Sequence, residues 1–502
     1  MDKIINLNNY LNNIELNMSH IKNLVSQIDA ISVDSQALVF VNKLLAKIKN
    51  HMDILSEKIK INNISNYNEI MTEYYNSYQN LCIKTIFSYT VVINADNFLS
   101  CMKNSLNIIF TNITKNSNIL CNILEKYLYK KVLGRGAVNV VYDIVNTPYI
   151  IRQSILDVDL SKLKLLEETI HVKNRKITKY ILSEPLYEIV YLSLMNKLSL
   201  KYFNFVEYNG AVYCENSKRI SIIMEKCDIS LIDLFPILLS QIDNEVKLNA
   251  FYVIMFNIIL QAAVIFDYMW NEIKICDFDR HFGNMLVRYT TDEYFKVNGF
   301  DLEKEKIYPR KYEHLGQDYS NLDTPLKYGD VYLKNIGLIL KPIDFGQSVI
   351  EQENVYIYSE PETYNKSITP EYSCTFETNY MSYEEWELIK SKYGIINTDT
   401  RNNIMFYFFI INMYVNIQKM SANQEIWKTS LINTFQEFCD SIFLYDKTCG
   451  FMGISTMEQK YVKYAGGKFF VKRNLGFSNK TYKQIFKSIH IYLKLNTDMI
   501  IN

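Results

Sequence analysis

Three short segments carry residue types that can do chemistry together. The first is Asp277-Phe278-Asp279-Arg280-His281-Phe282-Gly283-Asn284. The Asp279 carboxylate can accept a proton from a hydroxyl nucleophile, and five residues later the Asn284 amide oxygen can ligate Mg²⁺. Between them, Arg280 and His281 can contact a transferring phosphoryl group. The second is Ile343-Asp344-Phe345-Gly346, in which an acid behind an apolar run can hold a Mg²⁺ that bridges nucleotide phosphates. The third is Leu133-Gly134-Arg135-Gly136-Ala137-Val138-Asn139-Val140-Val141-Tyr142, whose two glycines suit a turn that brings backbone N–H groups close to phosphate. A glycine turn alone fits a plain hairpin equally well, and D-x-x-x-x-N alone fits a polar turn. Their order along the chain is more specific than any one member.

Such residues need elements to position them. A long apolar stretch at 251–270 precedes the first motif and predicts a buried helix, with Asn257, Gln261 and Asp267 inside it. Short β-rich runs lie at 140–144, 149–152 and 220–224, ahead of the long helices. Strands followed by helices predict an α+β chain with a sheet-rich front and a helical rear. Residues 288–335 are charged, tyrosine-rich and without clear period, which predicts a surface insertion.

Residues 1–133 contain neither glycine nor proline, while all 15 glycines and 8 prolines follow. That stretch reads as helical. Within it Leu38, Val41, Leu45, Ile48, Met52, Leu55 and Ile59 form one apolar seam. It fits a bundle that packs on itself, or a short coiled coil for self-association or partner docking.

Composition bounds the function. With 54 basic and 54 acidic residues among 502, bulk nucleic acid and anionic membrane surfaces are not expected partners. The start of the chain lacks a basic-then-apolar leader, and 251–270 and 404–417 read as core helices, so no membrane span is expected. Nine dispersed cysteines without a C-x-x-C pair predict free thiols in a reducing, cytoplasmic compartment.

Taken in order, the motifs resemble those of the protein kinase superfamily over residues 127 to the early 400s. The resemblance implies a bilobal protein-kinase-like fold behind an all-α N-terminal region. Residues 1–126 would be that region, 127–228 the N-lobe, and 229–502 the C-lobe with its insertion near 288–335. It implies ATP and Mg²⁺ as cofactors, and a serine/threonine protein kinase acting on a protein substrate. Asp279, His281 and Arg280 would be catalytic, and Asn284 and Asp344 would hold metal. Gly134, Gly136 and Val141 would cover the nucleotide. Arg152 stands in the place of the strand-three lysine, paired by Glu188 on an αC-like helix. Met224 falls in the gatekeeper place, and the backbone of Glu225 to Cys227 would bind adenine. Segment 231–235 resembles αD, Thr369-Pro370-Glu371 the end of the activation segment, and 404–417 a buried αF anchored by Asp399. In style the chain is most similar to divergent kinases of large DNA viruses, which would make it virion-associated.

Departures from the pattern keep alternatives open. Asn139 replaces the third glycine of the loop, and Arg152 replaces lysine, with Lys162 or Lys164 as possible substitutes. Asp277-Phe278-Asp279 lacks the arginine that docks a phosphorylated activation loop, so activity is expected not to need that phosphorylation. D-R-H-x-x-N followed by I-D-F-G is similar also to phosphoinositide and small-molecule kinases. Arg152 and Asn139 fit a pseudokinase scaffold as well. Tyr356, Tyr358, Ser359 and Thr363 lie in the expected activation segment, read as a polar loop.

Overall fold

The computed structural model describes scattered helical positions between 43 and 83, then 117–128, 130–136, 139–155, 157–158, 165–172, 175–182, 184–199, 202–277, 280–291, 294–297, 331–334, 336–346, 348–352, 355–359, 371–373, 409–410, 413, 416–443, 462–465 and 468–472. The N-terminal apolar seam, Lys162, Lys164, Asp279, Thr363, Thr369, Pro370 and Asp399 lie outside the described residues.

In chain order a short helix α1 (Ser117–Asn122) runs into a π-turn (Ile123–Tyr127). Then come β1 (Lys130–Arg135), β2 (Asn139–Ile144), β3 (Tyr149–Ser154), β4 (Leu165–Val172), β5 (Arg175–Leu182) and α2 (Glu184–Ser199). They lead to β6 (Tyr208–Cys214), β7 (Arg219–Glu225), β8 (Ile229–Ser230), α3 (Leu231–Ser240) and α4 (Glu245–Ile273). Next are β9 (Ile275–Asp277), β10 (Met285–Tyr289), β11 (Tyr294–Val297), β12 (Val331–Lys334), β13 (Leu338–Pro342), β14 (Ser348–Gln352) and β15 (Val355–Ser359). The last described elements are β16 (Glu371–Ser373), α5 (Glu425–Phe443), β17 (Val462–Ala465) and β18 (Lys468–Lys472). The chain is thus a mixed α+β protein, and it divides into two compact units.

The first unit holds a five-stranded antiparallel sheet in the order β1-β2-β3-β7-β6. Its strands are rich in Val, Ile and Tyr, which fit a pleated, half-buried surface. Val141 faces Arg152 across β2 and β3, Arg152 faces Ile222 across β3 and β7, and Ile150 faces Met224. Because side chains alternate along a strand, Asn139, Val141, Ile150, Arg152 and Met224 share one face. At the sheet's far edge α1 packs on β6, and Cys121 is disulfide-bonded to Cys214. Sequence spacing suggests free thiols here, because it cannot reveal a pairing between cysteines 93 positions apart. Among the described residues Cys82 and Cys227 stay outside any disulfide.

The second unit is organised by α4. Asn244 caps its first turn by accepting from the Lys247 N–H, and Lys274 ends it in the left-handed conformation. Residues 255–270 are buried without interruption. By length and composition α4 could cross a membrane, yet in this fold its apolar run forms the core of the unit. The buried Gln261 amide fixes it to β13, donating to the Leu338 carbonyl and accepting from the Leu340 N–H. Asn204 donates to Gln261 and to the Leu340 carbonyl, so the amides satisfy one another. Phe409, Ile410, Met413 and Ile417, in the helix expected at 404–417, are buried too.

Two sheets in this unit flank the first and second motifs. One has the order β13-β10-β8, the other β4-β5-β15-β14-β9. The second sheet corrects the expectation of a polar loop at 356–359, since residues 355–359 pair in parallel with 178–182 of β5. The insertion at 288–335 also has a regular stem, the antiparallel ribbon of β11 and β12.

Candidate active site

Motif by motif, the second unit builds its site at the ends of strands. β9 ends at Asp277, a one-turn 3₁₀ segment spans Phe282–Asn284, and β10 begins at Met285. In the β10–β13 ladder Met285 faces Pro342, and one step beyond it the Ile343 N–H donates to the Asn284 carbonyl at 2.9 Å. Asn284 and Asp344 therefore leave the same end of one ladder. The Asn284 side chain is buried, and Asp344 is half-buried. Asp344 adopts a left-handed backbone, with φ of 54°. A non-glycine residue held there is strained, and such strain collects at functional sites.

Arg280 holds this arrangement in place. Its side chain is fully buried and ion-paired to the equally buried Asp277. Nη1 donates to the carbonyls of Asn284 at 2.8 Å and Ile343 at 2.7 Å, while Nη2 donates to the Asp344 carbonyl at 3.0 Å. The guanidinium also lies 4.5 Å from the Phe345 ring centroid, and Tyr191 of α2 meets the same ring at 5.1 Å. The sequence suggests that Arg280 meets a phosphoryl group. In the structure its donors are spent on Asp277 and three carbonyls, so it is a strut joining the two motifs.

His281 takes a post that depends on Gly283. Its Nδ1 accepts from the Gly283 N–H at 2.9 Å, which leaves the ring proton on Nε2. A Cβ on residue 283 would lie 2.7 Å from the imidazole, so glycine is required for this contact. Burial, and then the neighbouring Arg280, push the His281 pKa down to about 4, with Asp344 opposing them. At neutral pH His281 is thus an uncharged hydrogen-bond donor, where the sequence suggests a basic group.

Glu188 is buried on α2, one turn from Tyr191. The hydroxyl of Tyr187, its neighbour, donates to the Ser348 carbonyl at 2.7 Å and so ties α2 to the start of β14. Cys227 is half-buried just before β8. Helix α3, expected at 231–235, is capped by Ser230, which accepts from the Asp233 N–H.

The first unit carries the other candidates. Gly134 and Gly136 are exposed around the β1–β2 turn, and nothing lies within 4 Å of a Cβ built on Gly134. The Gly136 N–H donates to the Asn139 carbonyl at 2.8 Å. With its amide oriented so that the oxygen rather than the nitrogen faces the guanidinium donors, the assignment their chemistry requires, Asn139 accepts from Arg152 Nη2 at 2.9 Å and Nε at 3.2 Å. Met224 and Glu225 are buried at the end of β7. The Glu225 and Lys226 N–H groups donate to Glu207 and Pro148 carbonyls, so neither can serve an adenine edge.

Sequence reasoning gave no role to Asp277, Gly283 or the Asn139–Arg152 contact. The i,i+3 spacing of Asp277 and Arg280 is the one signal that points to the buried pair. No protein-family model matches this chain, and no curated protein matches it.

Proposed function

We propose that the chain is an ATP-dependent phosphotransferase with a bilobal protein-kinase-like fold, moving the γ-phosphate to a serine or threonine hydroxyl of a protein. The observation that carries this is the joining of two distant motifs at one ladder end, with Asn284 and Asp344 braced by the same buried Arg280.

The donor set fits Mg²⁺. An amide oxygen and a carboxylate are hard ligands, and a cation held by one or two protein groups is the usual way Mg²⁺ meets phosphates. Asn284 and Asp344 would hold it. Bound there, Mg²⁺ would neutralise charge on the phosphates.

The chain's own residues do the rest. Asp279 orients the acceptor hydroxyl and takes its proton. His281, neutral with its proton on Nε2, donates a hydrogen bond to a phosphoryl oxygen and keeps no charge of its own. Arg152 contacts the α- and β-phosphates, and the backbone of Gly134 and Gly136 closes over them. Catalysis of this kind is positioning and electrostatics, which is why rigid bracing of Asp344 matters.

The test is to incubate the full chain with Mg²⁺ and labelled ATP, beside Asp279→Ala, offering protein and lipid acceptors separately. Label on protein in the wild type alone is expected. Label on inositol lipid or a small molecule selects those acceptor classes, and nucleotide binding without transfer selects a scaffold.

A further inference from the structure

Two positions at which the chain departs from the kinase pattern touch each other. Asn139 stands where a glycine is usual and Arg152 where a lysine is usual. In the sheet, Asn139 is opposite Ser154 and Val141 is opposite Arg152, so Asn139 and Arg152 are diagonal neighbours on one face. In the amide orientation that the guanidinium donors require, the contact is two-pronged, with one amide oxygen serving both Nη2 and Nε. The same residue's carbonyl closes the glycine turn by accepting from Gly136.

We propose that Asn139 is a positioning residue that sets Arg152 and the glycine turn in one register, so that asparagine and arginine together replace glycine and lysine in gripping a nucleoside triphosphate. This deepens the phosphotransferase reading and rests on it. The physical logic is specific to arginine. A guanidinium is a planar fork, and its hold on phosphate depends on the orientation of that plane. Fixing the Nε–Nη2 edge fixes the plane and directs the rest of the fork. An ammonium has no such plane for Asn139 to orient. A glycine at 139 would leave the arginine fork without its guide. Asn139 also avoids adding charge beside the phosphates, as an aspartate there would.

The experiment is a double-mutant cycle on the full chain, reading equilibrium binding of Mg·ATP. Asn139→Gly and Arg152→Lys should each weaken binding about tenfold, the scale of one charge-assisted hydrogen bond. The double variant should bind no worse than the weaker single variant, because Asn139 has nothing to guide once lysine is present. Melting curves of all four proteins should agree closely, separating this role from a structural one. Losses that multiply, or an Asn139→Gly protein that binds as the wild type does, overturn the proposal while leaving the phosphotransferase reading intact. Wild type that binds no Mg·ATP removes both. Should Asn139→Gly fail to fold, the wild type alone decides. Its Arg152 Nε–H signal, assigned by its disappearance in Arg152→Lys, should exchange slowly with water, and rapid exchange overturns the contact.

Discussion

Arg280 reaches Asp344 through the main chain: its Nη2 donates to the Asp344 carbonyl at 3.0 Å, while Asp344 itself sits in the left-handed region. A buried cation thus stabilises a backbone conformation that the sequence would otherwise avoid. The same guanidinium neutralises Asp277, so neither can change without stranding the other.

Removing Arg280 alone should therefore be severe. Arg280→Met leaves Asp277 buried without its counter-charge, a loss of roughly 3–5 kcal/mol. The pair Asp277→Leu with Arg280→Met should recover part of that stability but no phosphotransfer, since the three carbonyls remain unbraced. Urea unfolding of both variants checks this. Equal instability would mean that the stranded Asp277 charge is not what destabilises the single variant.

At Asp344 the backbone separates two effects. Asparagine tolerates the left-handed region and alanine does not, so Asp344→Ala should lose about 1–2 kcal/mol while Asp344→Asn stays near the wild type. Both should abolish phosphate transfer and remain soluble. Calorimetry reports the first effect and labelled ATP the second. Unchanged turnover in either variant removes Asp344 from the proposed metal site.

Acid should weaken the metal-free protein through His281. In the unfolded chain the imidazole titrates near 6.5, and in the fold near 4. Above 6.5 it is neutral in both states and adds no pH dependence. Between 6.5 and 4 the unfolded chain takes up a proton that the fold refuses, so stability falls, by on the order of 3 kcal/mol in full. Below 4 the loss levels off. Unfolding with chelator present, compared with His281→Asn, isolates the slope. Gly283→Ala should flatten it too, because the displaced ring regains an ordinary titration.

Activity should not depend on phosphorylation behind Asp344. Residues 348–350 pair with β9 and 355–359 with β5, so main-chain hydrogen bonds hold this segment. Phosphatase treatment is expected to leave turnover unchanged, and a clear loss would count against the ladder as the ordering element.

How far the sequence reached depends on the range of each interaction. Period and composition located β2, β3, β7 and α4, because an apolar alternation or a long apolar run is a local signal, whereas α3 was expected from the resemblance alone. The motifs around Asn284 and Asp344 were legible for the same reason. Partners were not. Nothing local tells Arg280 to turn inward on Ile343 and Asp344, or Asn139 to face Arg152, since both depend on strand register. The tyrosine-rich look of 355–359 likewise hid a strand whose partner, 178–182, lies far back in the chain.

That parallel ladder has a kinetic consequence. Parallel strands cannot be joined by a tight turn, and contacts between remote segments form only after much chain entropy has been lost. Tyr187 and Ser348, 161 positions apart, lie beside the same closure. The segment behind Asp344 should consequently be among the last to dock as the chain matures, and hydrogen exchange there should report an opening cheaper than global unfolding. An immature molecule would hold the five-stranded sheet of its first unit before it could hold Asp344 steady.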